Sequence, residues 1–402
     1  MSKVAIFTGV VCLIAFIGEL GTTIYLSEFP ELSQTFVVSS TLIKFSVTIY
    51  FMGIIIGTVL SGPLSDIYGR QHILTFFLTL FISSSLLCAF SSSIYPFLVG
   101  RFLGGIGAAG APIISLSISA EYFKGEIYNK ITSRVLTIIA LSPGVAPLIG
   151  SVMFKIGGWQ MIFYFLAFIG ILALGLSYYT KLERHINHRE AKETFHEYLF
   201  FLHHPFFSYY LIMIGSLYGA FYAFIVISPY IFRSHYGWSI LEFASVGLVL
   251  AVGNGLGPLI AKVLIKKIGN RKIIFSGLVI IAISVSMFFF ANWLPNGIWV
   301  LSVAMLFIIG ESLISACLTL KAIKADPRFT GLASSLVLLG KMGTAALVLV
   351  AILFCPETIA TVSYFILAAL LICIFGYFKI RKAFRYLPPK EKQSTYPDSP
   401  PS

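Results

Sequence analysis

The sequence predicts an all-α membrane protein: twelve transmembrane helices in two pseudo-symmetric six-helix bundles. Three observations carry that prediction. Of the 402 residues, 58% are hydrophobic and 11% charged, whereas soluble domains are about half apolar and about a quarter charged. The apolar residues come in runs of about 20, the length at which a helix crosses the hydrocarbon core of a bilayer. The longest internal polar stretch, Lys181 to Pro205, divides those runs six and six. A soluble enzyme is excluded, because such a chain has too little charge to cover its surface.

The first six runs are 4–26, 42–62, 73–93, 97–120, 132–154 and 160–180. Span 1 starts almost at Met1 and lacks a small-residue cleavage site, so it is expected to be retained. These spans make the first bundle, 1–180. Residues 181–206 mix acids, bases and histidines with Phe195, Tyr198, Leu199 and Leu202, as expected of a linker with an amphipathic surface helix. The second bundle, 207–386, contains runs 207–232, 240–264, 273–293, 298–320, 330–354 and 361–380. Connections are short, so neighbouring helices run antiparallel. The tail, 387–402, carries five prolines from Pro388 to Pro401 and is too polar to pack, which predicts disorder. The halves echo each other: GPLSDIYGRQ, from Gly62, follows span 2, and KKIGNRK, from Lys266, follows span 8. A twofold repeat of this kind is a common transporter ground plan.

The net charge of +12 is spread over short connecting segments rather than one domain, which argues for membrane topology and against nucleic acid. Alternating the loops puts Lys3, Arg70, Lys124, Lys130, Lys181, Lys266, Lys321, Lys379 and most other bases on one side, with Lys44, Lys155 and Arg233 opposite. The positive-inside rule then makes both termini cytoplasmic. Cys12, Cys88, Cys317, Cys355 and Cys373 form no CxxC pair, so they are expected to pack rather than bind zinc or form disulfides. The linker histidines His185, His188, His196, His203 and His204 are expected on a solvated face. No cofactor or metal is expected.

Gly62-Pro63-Leu64-Ser65-Asp66-Ile67-Tyr68-Gly69-Arg70-Gln71 puts an Asp and an Arg into a loop too short for either to wander. It resembles motif A of the major facilitator superfamily. That resemblance implies a gate in which Gly62, Asp66, Gly69 and Arg70 latch the two halves on the cytoplasmic side, with Glu121 at the end of span 4 as a partner. Arg101 with Gly105 and Gly107 in RFLGGIGAAGAP is similar to motif B of drug:proton antiporters, although Gly104 stands where the motif has Gln. It implies that Arg101 assists proton coupling; the alternative is that Arg101 bonds a carbonyl or an acid to hold helices together. Ser142-Pro143-Gly144-Val145-Ala146-Pro147-Leu148-Ile149-Gly150 resembles antiporter motif C, in which Pro143, Gly144, Pro147 and Gly150 bend span 5 and which accompanies export. The alternative is a kinked packing helix. Gly158-Trp159-Gln160, Ser228-Pro229-Tyr230 and Gly331 to Ser335 also fit, and together the segments resemble the bicyclomycin-resistance type of exporter.

A charge at the bilayer centre costs about 2.5–3.5 kcal/mol on insertion scales, so each needs a partner, a watery cavity or a function. Four stand out: Glu19, Arg101, Glu311 and Lys341. Relatives carry an Asp where this chain has Thr23, and Glu19 lies one turn earlier on the same face. Glu19 and Glu311 are therefore proton-coupling candidates, with Glu19 alternatively pairing Arg101 or Lys341. Lys341 stands where relatives often have Gln and suits a carboxylate-bearing substrate, or else a structural pair. Tyr25, Tyr218, Tyr222 and Tyr230, with Phe221 and Phe224, could wall a substrate cavity.

The expectation is a proton-coupled exporter of a small amphiphilic compound in the bacterial inner membrane, acting as a monomer by alternating access. Its partners are a small-molecule substrate, protons and the lipid bilayer. No ATP-binding loop or catalytic triad pattern is visible, which leaves an ion gradient as the energy source. Two alternatives remain: an importer of an anionic nutrient or siderophore with Arg101 and Lys341 as anion site, and a receptor or scaffold without transport.

Overall fold

In hydrocarbon the backbone N–H and C=O groups find no water, so each apolar run closes its own hydrogen bonds as a helix. The computed structural model describes residues 3–179, 205–291, 296–323 and 330–386. In order these form α1 (Lys3–Thr23), a 3₁₀ turn (Leu26–Glu28), α2 (Phe29–Phe36), α3 (Ser40–Tyr68), α4 (Arg70–Ala89), α5 (Ile94–Tyr122), α6 (Gly125–Tyr179) and α7 (Pro205–Pro229), which continues as a π-helical segment (Tyr230–His235). They are followed by α8 (Ile240–Ala291), α9 (Gly297–Ile323), α10 (Thr330–Ile352) and α11 (Ile359–Tyr386). The linker with its histidines and the tail, for which a surface helix and disorder were expected, lie outside the described residues.

Among the described residues, ten helical segments are long and apolar enough to cross a membrane, and Leu336–Ile352 is a shorter apolar helix. One of the ten, Leu141–Tyr179, turns a corner at Gly157 and Gly158, so it holds two spans and the expected twelve are all present. Gly158 has φ 75° and Gly269, the corner inside α8, has φ 77°. The loop glycine Gly69 between α3 and α4 has φ 89°. Gly69 and Gly269 therefore put the same left-handed backbone, which side chains with a Cβ resist, at the same point of each half. The sequence echo between GPLSDIYGRQ and KKIGNRK is a structural repeat.

Packing gathers the chain into two units. Of the described residues, the first contains those up to Tyr179 together with Ile225–Val252 and Leu349–Glu357; the second contains the others. Within the first, α3 approaches α5 so closely that a Cβ on Gly105 would meet the Tyr50 carbonyl, and one on Gly53 would meet the Phe102 carbonyl. The glycines of RFLGGIGAAGAP thus serve helix packing, as small residues do where bilayer helices touch. An aromatic cluster of Phe97, Trp159, Phe163, Tyr25 and Phe36 fills the space between α1, α2, α5 and the second limb of α6. Within the second unit, a Cβ on Gly215 would meet Thr344, and one on Gly219 would meet Val348, so α7 and α10 run in contact. All five cysteines are free thiols, and Cys88, Cys317 and Cys373 are buried.

Candidate functional site

Arg101 sits on α5 with 3% of its surface exposed. Because α1 ends at Thr23, the Gly21 carbonyl has no donor further along the helix, and Arg101 Nη1 donates to it at 2.9 Å. The guanidinium lies over two rings, 4.3 Å from the Tyr25 centroid and 3.9 Å from that of Tyr50. A cation on an aromatic face gains most where water is excluded. Tyr25 is itself held by a 2.8 Å hydrogen bond between its hydroxyl and Ser46 Oγ. Arg101 Nε and Nη2 make no hydrogen bond, so the group keeps donor capacity in a dry place. Glu19 is half-buried on α1, within electrostatic reach of Tyr50. Of the two readings of Arg101, the bond to a carbonyl is present.

The second unit brings together Glu311, Lys341, Tyr218 and Tyr222. Glu311, on α9, is 5% exposed, is bonded by Ser315 one turn along, and feels the charge of Lys341 on α10. The Lys341 ammonium stands 5.4 Å from the Tyr218 ring centroid. Close approach at Gly215 and Gly219 puts α10 against α7, which sets Lys341 beside Tyr218. The Tyr218 hydroxyl reaches the Tyr222 hydroxyl at 3.5 Å, their rings meeting edge to face at 4.9 Å. Tyr222 is buried. Glu19 and Arg101 belong to the first unit, and Glu311 and Lys341 to the second. Tyr25 and Tyr230 likewise belong to the first: Tyr230 is packed on Phe29 with its hydroxyl lacking any hydrogen-bond partner.

The first unit also contains an ionic cluster that the sequence did not announce. Lys44, expected as a loop charge, is 1% exposed and pairs with Glu357 at 2.8 Å. That expectation is corrected: the Lys44 ammonium also bonds the carbonyls of Ile352 and Cys355 at 3.3 and 3.2 Å. It therefore caps the C-terminal end of α10, where a helix dipole favours a cation. Ser40 Oγ donates to the same Glu357 oxygen at 2.7 Å. Burial pushes the Glu357 carboxyl up, but the bonds from Lys44 and Ser40 and the lysine charge outweigh it and hold Glu357 below its ordinary value. Arg233 makes a bidentate pair with Glu31 of α2 and donates to the Ser27 carbonyl at 2.7 Å. Glu28, between them, is wholly buried, and neither carboxyl oxygen makes a hydrogen bond. The available signals were Lys44 and Arg233, two of the few bases outside the base-rich loops; their acids, Glu357 and Glu31, are remote in the chain.

In the motif A loop, Arg70 Nη1 donates to Ser65 Oγ at 2.9 Å, and Ser65 Oγ donates to the Gly62 carbonyl at 2.9 Å. Asp66 and Glu121 lie near the C-terminal ends of α3 and α5; their side chains are outside the described set. In the motif C segment the backbone stays helical through Pro143 and Pro147, and the break comes at Gly157 and Gly158. Gly144 packs on the first limb of α8, where an added Cβ would lie 2.5 Å from the Gly247 carbonyl. Gly150 is tighter still, against the carbonyl of Ile24 just past the end of α1.

Twelve spans in a twofold repeat, with charged groups buried inside them, define a multi-pass membrane protein on a ground plan common among transporters. The Major Facilitator Superfamily profile matches residues 11–349, and the chain belongs to that family. It is 30% identical over 267 residues to the uncharacterized MFS-type transporter YdgK of Bacillus subtilis (strain 168), a match covering 64% of this chain and 65% of that protein. It is 22% identical over 330 residues to a bicyclomycin resistance protein homolog of Haemophilus influenzae, covering 81% and 83%. Among solved structures, the D-xylose-proton symporter superposes with a TM-score of 0.72 at 20% identity, covering 92% of this chain and 97% of that one. That likeness is one of fold.

Proposed function

We propose that the chain is a proton-coupled exporter of a small amphiphilic compound, a drug or an endogenous metabolite such as a carboxylate siderophore, working by alternating access in the bacterial inner membrane. The observation that carries this reading is Glu311, a carboxyl group buried in a span with one hydroxyl, Ser315, and the Lys341 charge as its partners. Burial disfavours a charged carboxylate and a nearby cation favours it. A carboxyl group whose cation is drawn toward an arriving substrate therefore changes its affinity for a proton, which is the elementary step of coupling. Lys341 and Tyr218 are the first substrate contacts, with Tyr222 behind them. Glu19 with Arg101 serves the proton on the other bundle, and Glu28 is a third carboxyl group with the burial such a role needs. Tyr25 and Tyr230 position their surroundings.

The proline- and glycine-bearing segment from Ser142 to Gly150 supports export, as do relatives named for bicyclomycin and multidrug resistance. The distribution of bases supports cytoplasmic termini. Bundles 1–180 and 207–386, joined by 181–206, exchange access, with Asp66, Arg70 and Glu121 as the inner gate. No second copy is needed to complete this pathway.

Everted vesicles holding a pH gradient test the proposal when offered lipophilic cations, neutral drugs and polycarboxylate siderophores in turn. Proton release on adding one class, abolished by Glu311→Gln, is the expected result. Undiminished coupling in both Glu311→Gln and Glu19→Gln overturns the assignment. A second reading, import of an anionic nutrient or siderophore with Arg101 and Lys341 as anion site, draws on the two guanidinium nitrogens of Arg101 that make no hydrogen bond; uptake into right-side-out cells that is lost in Arg101→Gln would favour it.

A further inference from the structure

Around the turn between α1 and α2, buried polar atoms stand without hydrogen bonds: both carboxyl oxygens of Glu28, Ser27 Oγ, Arg233 Nε and the Tyr230 hydroxyl. Glu28 is 0% exposed, and its own N–H already donates to the Tyr25 carbonyl at 3.2 Å. Arg233 commits both terminal nitrogens to Glu31, and one of them also to the Ser27 carbonyl at 2.7 Å. The turn and α2 belong to the first half of the chain, and the π-helical segment carrying Arg233 belongs to the second. The Arg233–Glu31 pair is therefore a clasp between segments 202 residues apart.

We infer that Glu28 is a proton-binding site and that the proton it holds keeps this clasp shut. Two carboxyl groups face one guanidinium, since the charges acting on Glu28 are those of Glu31 and Arg233. From α6, which packs on the turn, Lys155 is the sole charged residue between Ser142 and Phe163, and it is exposed. Glu357, paired with Lys44, acts on Tyr230. With Glu28 protonated, Arg233 and Glu31 balance and the three side chains together are neutral. With Glu28 ionised, a second negative charge stands unbonded in a dry place, which is strongly unfavourable. It then competes with Glu31 for the guanidinium, drawing on Arg233 Nε, Ser27 Oγ and the Tyr230 hydroxyl. Loss of the proton thus weakens the tie between α2 and the π-helical segment.

The backbone at this point supports the assignment. Arg233 sits in the π-helical stretch Tyr230–His235, a rare form that occurs mostly where a helix does functional work. The nearby pair of Lys44 with Glu357 has one acid for one base, with the remaining donors and acceptors filled by Ser40 and two carbonyls. That pair leaves no competing carboxyl group, whereas the clasp at Arg233 has one. The proton belongs to the clasp, so the inference requires neither a direction of transport nor coupling to a substrate.

The test measures the width of the clasp in the full chain, held in nanodiscs with no substrate and no gradient. Spin labels are placed at Thr35→Cys and Ser234→Cys, exposed positions on either side, after the five native cysteines are replaced by alanine. The parent chain should show a short distance at about pH 5 and a longer population that grows at least about tenfold by about pH 9. Glu28→Gln keeps the shape but cannot ionise, and should hold the short distance at every pH. Arg233→Gln should show the longer distance at every pH. Difference infrared spectra give the second measurement: a protonated-carboxyl band of the parent chain that vanishes in Glu28→Gln identifies the site. A parent distance indifferent to pH overturns the inference, as does a folded Glu28→Gln variant that keeps the parent's pH profile or its full carboxyl band. Because no substrate is added, these outcomes stand whether or not the transport proposal does.

Discussion

Two pairs of opposite charge, one in each unit and each with one buried member, Lys44 and Glu311, are built in opposite ways. Lys44 is surrounded by acceptors: the Glu357 carboxylate and two carbonyls at the end of α10, with Ser40 completing the carboxylate. Glu311 has one hydroxyl and one cation, and that cation stands beside the face of an aromatic ring. A charge whose bonding capacity is filled fixes the helices around it, because any movement exposes several unmet groups at once. A charge with few partners can exchange a proton or admit a ligand with little loss. The first arrangement suits a clamp and the second suits work.

The sharpest way to break this comparison is Glu311→Gln. It should reduce proton-coupled flux at least about a hundredfold, the scale lost with a group that takes or gives a proton, while leaving the thermal midpoint nearly unchanged; a flux close to that of the parent chain would make Glu311 structural. Lys44→Ala should show the reverse pattern. Removing one member of a buried pair costs about 3–5 kcal/mol, and because Glu357 is 27% exposed the expected loss is about 2 kcal/mol, read from thermal unfolding in detergent. Gly144→Val forces the first limbs of α6 and α8 apart and should cost about 1–3 kcal/mol, again measured by thermal unfolding.

Acidity separates the two pairs further. Glu357 is held below its ordinary carboxyl value, so its contribution to stability is fully present above the unfolded value of about 4.3 and disappears as pH falls through the folded one. Stability from this clamp should be flat between about pH 5 and 8 and decline only below about pH 4, and Lys44→Met should remove that acid limb from the unfolding profile. Any pH dependence of transport near neutrality then has to come from other groups. The smallest expected effect is Tyr218→Phe, which removes a long 3.5 Å contact to Tyr222 and keeps the ring beside Lys341; stability should change by less than about 1 kcal/mol, and a severalfold change in substrate KM would make the hydroxyl a substrate contact.

Much of the fold was legible because it rests on local physics. A run of about 20 apolar residues must become a spanning helix, and a Gly-Arg loop repeated after spans 2 and 8 shows the internal repeat without any three-dimensional information. Buried charges were also legible where they interrupt an apolar run, as Arg101 and Glu311 do. Lys44, Glu28 and Glu357 were not, because in sequence they sit near span ends where charge is cheap. Only their surroundings in the folded chain remove them from water.

By itself the sequence determined the class of protein, the number of spans and the identity of the charges that interrupt an apolar run, such as Arg101 and Glu311. These follow from chain length against bilayer thickness and from the free energy of placing a charged group in hydrocarbon, quantities that depend on the residue and its immediate neighbours. The tertiary structure decided the partners: Lys44 with the end of α10, Arg233 with Glu31, and Glu311 with Ser315 and the charge of Lys341. Apart from Ser315, which lies one turn from Glu311 on the same helix, these pairings join residues far apart in the chain. They depend on how each helix is rotated and how closely glycines let two helices approach, which no local stretch of sequence specifies.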